Sequence, residues 1–165
     1  MRETEVAQSD AALSPTPDSN PDLTGIAGWL IFIAIGQLIA PVRIIWTLAL
    51  YYQETSTILA LQQFPATVYG EGLLNFTYVV IIFAATFTFF SRRRIFKSLF
   101  VIEVLAGLLI TPLIYAWVSL TTGISFRALT TGTLEFSQTI TAGVAAAAWV
   151  PYIWWSKRVK NTFVK

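Results

Sequence analysis

Gly25-Ile-Ala-Gly-Trp-Leu-Ile-Phe-Ile-Ala-Ile-Gly-Gln-Leu-Ile-Ala-Pro-Val-Arg43 decides how this chain folds. The apolar run continues to Tyr52, and Arg43 is its one ionisable group apart from tyrosine hydroxyls. Roughly 20 mainly apolar residues make a membrane-crossing helix, and this run is long enough. An arginine at the centre of such a helix costs roughly 2.5–3.5 kcal/mol on insertion scales, and less near an interface. Arg43 must therefore find a partner or reach the headgroups.

The remaining composition agrees with a lipid-embedded chain. Of 165 residues, 55% are hydrophobic and 12% charged, against about 25% charged in a soluble domain. There is no cysteine and no histidine. That excludes disulfides, thiolate nucleophiles, histidine bases and the usual zinc and haem ligands. No metal and no cofactor are expected.

Residues 1–24 read as a disordered acidic cytoplasmic tail. Glu3, Glu5, Asp10, Asp18 and Asp22 stand against Arg2 alone, and Ser14-Pro-Thr-Pro-Asp-Ser-Asn-Pro21 breaks helices. A secretory signal opens with basic residues and has a shorter apolar core, so this stretch does not fit one.

Four apolar segments reach spanning length: about Ile26–Tyr51, Gly72–Phe90, Ser98–Leu120 and Phe136–Trp155. The expected fold is all-α, a polytopic four-transmembrane-helix bundle over residues 25–156. Residues 157–165 follow as a basic cytoplasmic tail. Pro41 and Pro112 are kink candidates, and Pro151 falls in the last turn of the fourth segment. Lysine and arginine gather in two places. Arg92, Arg93, Arg94 and Lys97 join the second and third segments, and Lys157, Arg158, Lys160 and Lys165 close the chain. The other two links hold only Arg127. Positive charge marks the cytoplasmic side, so both termini are expected inside. Trp29, Phe89, Phe90, Trp154 and Trp155 would mark the inner interface, and Trp46, Tyr51, Tyr52, Tyr115 and Trp117 the outer one.

Small residues predict packing faces. Gly28, Gly36 and Ala40 share one face of the first helix with Arg43, and Gly143 and Ala147 lie four apart in the fourth. Such faces also suit docking to another protein.

The polar residues form two groups. Arg43, Glu71 and Asn75 fall at similar depth near the outer face, on sequential helices. They are open to three readings: an Arg43–Glu71 staple, an arginine that snorkels to phosphates, or a polar site for a small ion or headgroup. Glu103 lies shallowly inside the third helix, and its expected partners are Arg94, Lys97 or Lys157. Gln37 lies mid-span and can hydrogen-bond across helices. The basic residues Arg92, Arg93, Arg94, Lys97, Lys157, Arg158 and Lys160 form a cytoplasmic surface for anionic lipids. A nucleic-acid role is not expected.

Two ends of the chain carry a resemblance. Gly28-Trp-Leu, Ala34-Ile-Gly and Ala40-Pro-Val-Arg43 open it. Trp149-Val-Pro-Tyr-Ile-Trp-Trp-Ser-Lys-Arg-Val-Lys-Asn-Thr-Phe163 closes it, with Glu71-x-x-x-Asn75 between. Together they resemble a bacterial inner-membrane family known as domain of unknown function 2569, over about Gly25–Phe163. Ala27 stands where that family more often has glycine. The resemblance implies a plasma-membrane location and a four-span layout. It also marks Arg43, Glu71, Asn75, Pro151, Tyr152, Ser156, Lys157 and Arg158 as motif positions, and it implies no activity.

The functional expectation is a non-enzymatic inner-membrane protein, an accessory, assembly or regulatory subunit of an envelope complex. Its partners would be the bilayer and another membrane protein or a second copy. The alternative is an oligomeric transporter or channel element for a small ion or polar solute, using Arg43, Glu71 and Asn75. Carboxylates and other reactive groups fall on opposite membrane sides, so no catalytic set converges.

Overall fold

The computed structural model describes residues 25–131 and 134–164. The acidic tail expected over residues 1–24 lies outside them. Among the described residues three helices are long and apolar enough to cross a membrane: α1 (Leu30–Gln53), α3 (Pro65–Phe90) and α4 (Phe96–Thr122). At 1.5 Å per residue each is about 36 Å or more in length, against a hydrocarbon core of about 30 Å. Their outward faces are apolar, with Val42 69% and Leu120 80% exposed. A water-soluble protein would not leave such surface contiguous.

The link between α1 and α3 is not a plain loop. It folds as α2 (Thr55–Gln63), and α3 begins at Pro65, earlier than the expected Gly72. Proline suits that first position because its missing N–H would have no partner there. On the same side, α4 ends on Gly123 at φ 75°, the left-handed conformation glycine tolerates. A short helix α5 (Phe126–Thr130) follows, capped by the Ser125 hydroxyl accepting from the Ala128 N–H at 3.3 Å.

The fourth apolar segment forms two helices, α6 (Leu134–Ala147) and α7 (Trp149–Trp155), rather than one. Pro151 explains the break. It has no N–H to offer the carbonyl one turn back, at Ala147. Pro41 and Pro112, by contrast, sit within unbroken helices.

The pairing is up-and-down. α1 packs on α3, α3 on α4, and α4 on α6 and α7. Thr67 at the start of α3 donates to Thr121 at the end of α4, at 2.7 Å. Thr139 of α6 lies 3.2 Å from Thr111 of α4, and Gly143 takes the Leu108 side chain directly against its backbone. The α6–α7 segment thus descends antiparallel to α4.

At the other end, the C-terminal residues are no free tail. After Trp155 they form α8 (Lys157–Thr162), and Val159, Thr162 and Phe163 are buried. Phe163 stacks on Phe96 with centroids 4.8 Å apart, and Phe89 meets Phe96 edge-on at 4.9 Å. Phe89 is therefore core rather than interface. Arg94 Nε donates to the Val164 carbonyl at 2.8 Å, and the Thr162 hydroxyl donates to the Gly25 carbonyl at 3.2 Å. Chain entry, the Arg92–Lys97 link and the C-terminus are thereby tied together at one end. We call it the basic end.

Candidate functional site

Helix order leaves a gap. α1 packs on α3 and reaches α4 through the Gln37–Glu103 bond and an apolar cluster of Leu30 and Ile33 with Phe96 and Phe100, and beside these contacts lies a cavity of about 490 Å³. The cavity is walled by Phe32, Ile33, Gly36, Phe100, Val104, Gly107 and Ile110, among others, and it also receives six polar side chains. Gln37 and Arg43 come from α1, Tyr78 from α3, Glu103 and Thr111 from α4, and Thr139 from α6. Gly36 lines it with open space where a Cβ would stand. The small-residue face of α1 is thus partly a cavity wall, and not at Gly36 a close helix contact.

At the lower level the polar groups are tightly arranged. Gln37, 4% exposed, donates through Nε2 to Glu103 Oε2 at 2.7 Å. The Thr86 hydroxyl donates to the Gln37 backbone carbonyl at 3.0 Å, and its oxygen lies 3.3 Å from the side-chain Oε1. The Glu103 carboxylate, an acceptor, takes the NH₂ end of the amide and turns Oε1 towards Thr86. Glu103, expected beside Arg94, Lys97 or Lys157, has Gln37 as its partner instead. Its side of α4 also carries Phe100, Val104 and Gly107 and faces the cavity. Lys157 is exposed at the start of α8, past the break at Pro151.

Arg43 enters the cavity at a higher level. Along α1 it lies about 20 Å from Leu30, while Gln37 lies about 10 Å from it. Arg43 is itself exposed, which places it at the seam where the cavity opens. The Tyr78 hydroxyl lies within electrostatic reach of both Glu103 and Arg43. That hydroxyl also abuts Gly107, where a Cβ would stand 2.9 Å away. Among the described residues none forms an ion pair with Arg43.

Glu71 and Asn75 belong to a different cluster. Glu71 accepts from the Tyr51 hydroxyl at 2.9 Å, and a side-chain hydrogen bond joins Asn75, 8% exposed, to Tyr52. Thr57 of α2 donates to the Tyr51 carbonyl at 2.9 Å. This cluster binds α1, α2 and α3 together at the far end. Arg43 and Glu71 share the helices expected of them but face different neighbours. Trp117 of α4 closes the same end, donating from Nε1 to the Ala66 and Thr67 carbonyls at 3.2 Å each, with its ring against Gly70.

The basic residues share one surface but differ in detail. Arg92 occupies φ 53° and ends α3 in a Schellman turn, its N–H bonding Phe89 and the next N–H bonding Thr88. Arg93 lies over the Phe87 ring at 5.6 Å, and Arg94 holds the C-terminus. Lys97, Lys157, Arg158 and Lys160 complete the patch.

A family profile described as protein of unknown function (DUF2569) matches residues 23–164. The chain belongs to that family. Neither a curated protein nor a solved structure matches it. The opening and closing stretches of this DUF2569 protein now have physical roles. Gly28 holds φ 59° at the entry to α1, and the closing stretch supplies Val159, Thr162 and Phe163 to the core. The cavity pair Gln37–Glu103 escaped sequence reading. Mid-span polarity at Gln37 was visible, but its partner depends on the rotation of helices far apart in sequence.

Proposed function

We propose that this is a four-span bacterial inner-membrane protein with both termini cytoplasmic, whose intramembrane cavity binds a small polar solute without transforming it. The observation that carries this reading is one cavity holding Gln37-bound Glu103 and Arg43. Ionisable groups at membrane depth are costly and face partners or water. A cavity of a few hundred Å³, mostly apolar with a few convergent polar groups, is the form small-molecule sites take.

The fourth crossing is supported by the antiparallel run of α6 and α7 beside α4. Together they extend about 33 Å, enough to span. Placement of the basic end in the cytoplasm follows from its arginines and lysines. The accessory-subunit role rests on small size, small-residue faces, compact links and the basic tail; of those faces, the one at Gly36 borders the cavity and so supports solute binding instead. Of the two roles expected, the transport element gains, with Glu103 replacing Glu71 as the acidic member of the site.

Single cysteines at Thr111 and at Leu109 test this, since the chain has no cysteine of its own. A charged maleimide reacts with thiolate in water and not with a thiol in lipid. Thr111→Cys is expected to label in membranes, and Leu109→Cys, on the exposed apolar face, is not. Equal inertness of both would contradict a hydrated cavity.

A further inference from the structure

The cavity holds an acidic and a basic group that do not meet. Glu103 is fixed at the lower level by the Gln37 amide, 2.7 Å away. Arg43 stands about 10 Å further along α1. Between them lie the Tyr78 hydroxyl, Gly107 and the apolar wall, and Thr111 and Thr139 line the same cavity. At a short distance the pair would neutralise itself and leave little need for a ligand. At this separation neither group cancels the other, and each, when ionised, is left to pair with water or with a ligand.

A simple cation would satisfy Glu103 and repel Arg43. A simple anion would do the reverse. Only a molecule with both charges in the matching order balances the site. Taking solute binding in this cavity as given, we propose that the ligand is zwitterionic: an ammonium group seated at Glu103, an anionic group at Arg43, and a short apolar stem between. The guanidinium can grip a carboxylate or phosphate oxygen pair with two parallel hydrogen bonds. The Glu103 carboxylate keeps lone pairs beyond the one Gln37 uses, so it can accept from an ammonium. Thr111 and Thr139, hydroxyl to hydroxyl at 3.2 Å, add polar groups to the same cavity. Two sources offer this chemistry, a free amino acid-like solute and a zwitterionic lipid headgroup. Arg43, exposed on α1 and lining the cavity, offers a headgroup a point of contact.

The test is equilibrium binding to the full chain in nanodiscs of anionic lipid only. The probes are aminohexanoate, hexylamine and hexanoate, the last two carrying one of its charges each. The zwitterion is expected to bind at least tenfold tighter than either. Glu103→Gln should reduce it to the affinity of hexanoate, and Arg43→Gln to that of hexylamine. In a parallel arm, nanodiscs containing phosphatidylethanolamine are titrated with aminohexanoate. Competition by the lipid identifies a headgroup as occupant, and its absence identifies a free solute; both keep the assignment. Equal affinity of the three probes for wild type overturns the zwitterion assignment and leaves the cavity as a binding site. Absence of binding by every probe overturns both. A uniform loss for all three probes in Glu103→Gln and in Arg43→Gln, with the protein folded, also overturns the assignment, because it makes both charges structural.

Discussion

Glycines that look alike in sequence do opposite things here. Gly143 has the Leu108 side chain where a Cβ would go, whereas Gly36 has open space. Gly143→Ala should therefore push α6 off α4 and lower the thermal unfolding temperature in detergent. Gly36→Ala meets no obstacle and gains helix propensity, so it should be neutral or stabilising by up to about 1 kcal/mol. Equal effects of the two in a melting series would count against the packing described. Arg92 offers a second contrast. A non-glycine residue in the left-handed region is disfavoured by roughly 1–2 kcal/mol, and Arg92→Gly should recover part of that at the end of α3. The readout is a raised unfolding midpoint, and a lowered one would mean that the side chain contributes more than the strain it imposes.

Among the elements, α8 departs furthest from what its composition suggests. Lys157-Arg-Val-Lys160 reads as a topology signal, and the apolar residues within it are few. Yet Val159, Thr162 and Phe163 recur at helical spacing and are buried, Val159 and Phe163 in one apolar cluster with Phe89, Phe96 and Ile153. The pattern was present in sequence but lay in too short a run to stand out against the charges around it. Phe163→Ala should cost about 3–5 kcal/mol, as other large-to-small core changes do. It should also expose the C-terminus to carboxypeptidase, and an unchanged digestion rate would refute the docking of α8. Helix α2 was hidden for another reason. Thr55-Ser-Thr57 has weak helix propensity, and the segment holds its place through Thr57 and its contact with α3.

Across the whole molecule, the three long helices were legible because length and hydropathy alone specify them. The grouping of Arg43 with Glu71 was an inference of depth, and depth does not determine which way a side chain points. Rotation of α1 brings Gln37 and Arg43 to the cavity and gives Glu71 to Tyr51. The cysteine-free background makes the proposed topology testable in intact cells. Ser125→Cys, in the link beyond α4, should react with an impermeant maleimide from outside, and Lys160→Cys only after lysis. The reverse pattern would invert the orientation.

Occupancy of the cavity decides the account. The direct measurement is native mass spectrometry of the protein released from membranes, comparing wild type with Gly36→Leu. A leucine at that position has room to extend into the cavity and narrow it beside Gln37. Wild type should carry a small-molecule adduct that the folded Gly36→Leu protein lacks. The same spectrum from both, with or without an adduct, would contradict a ligand-binding cavity.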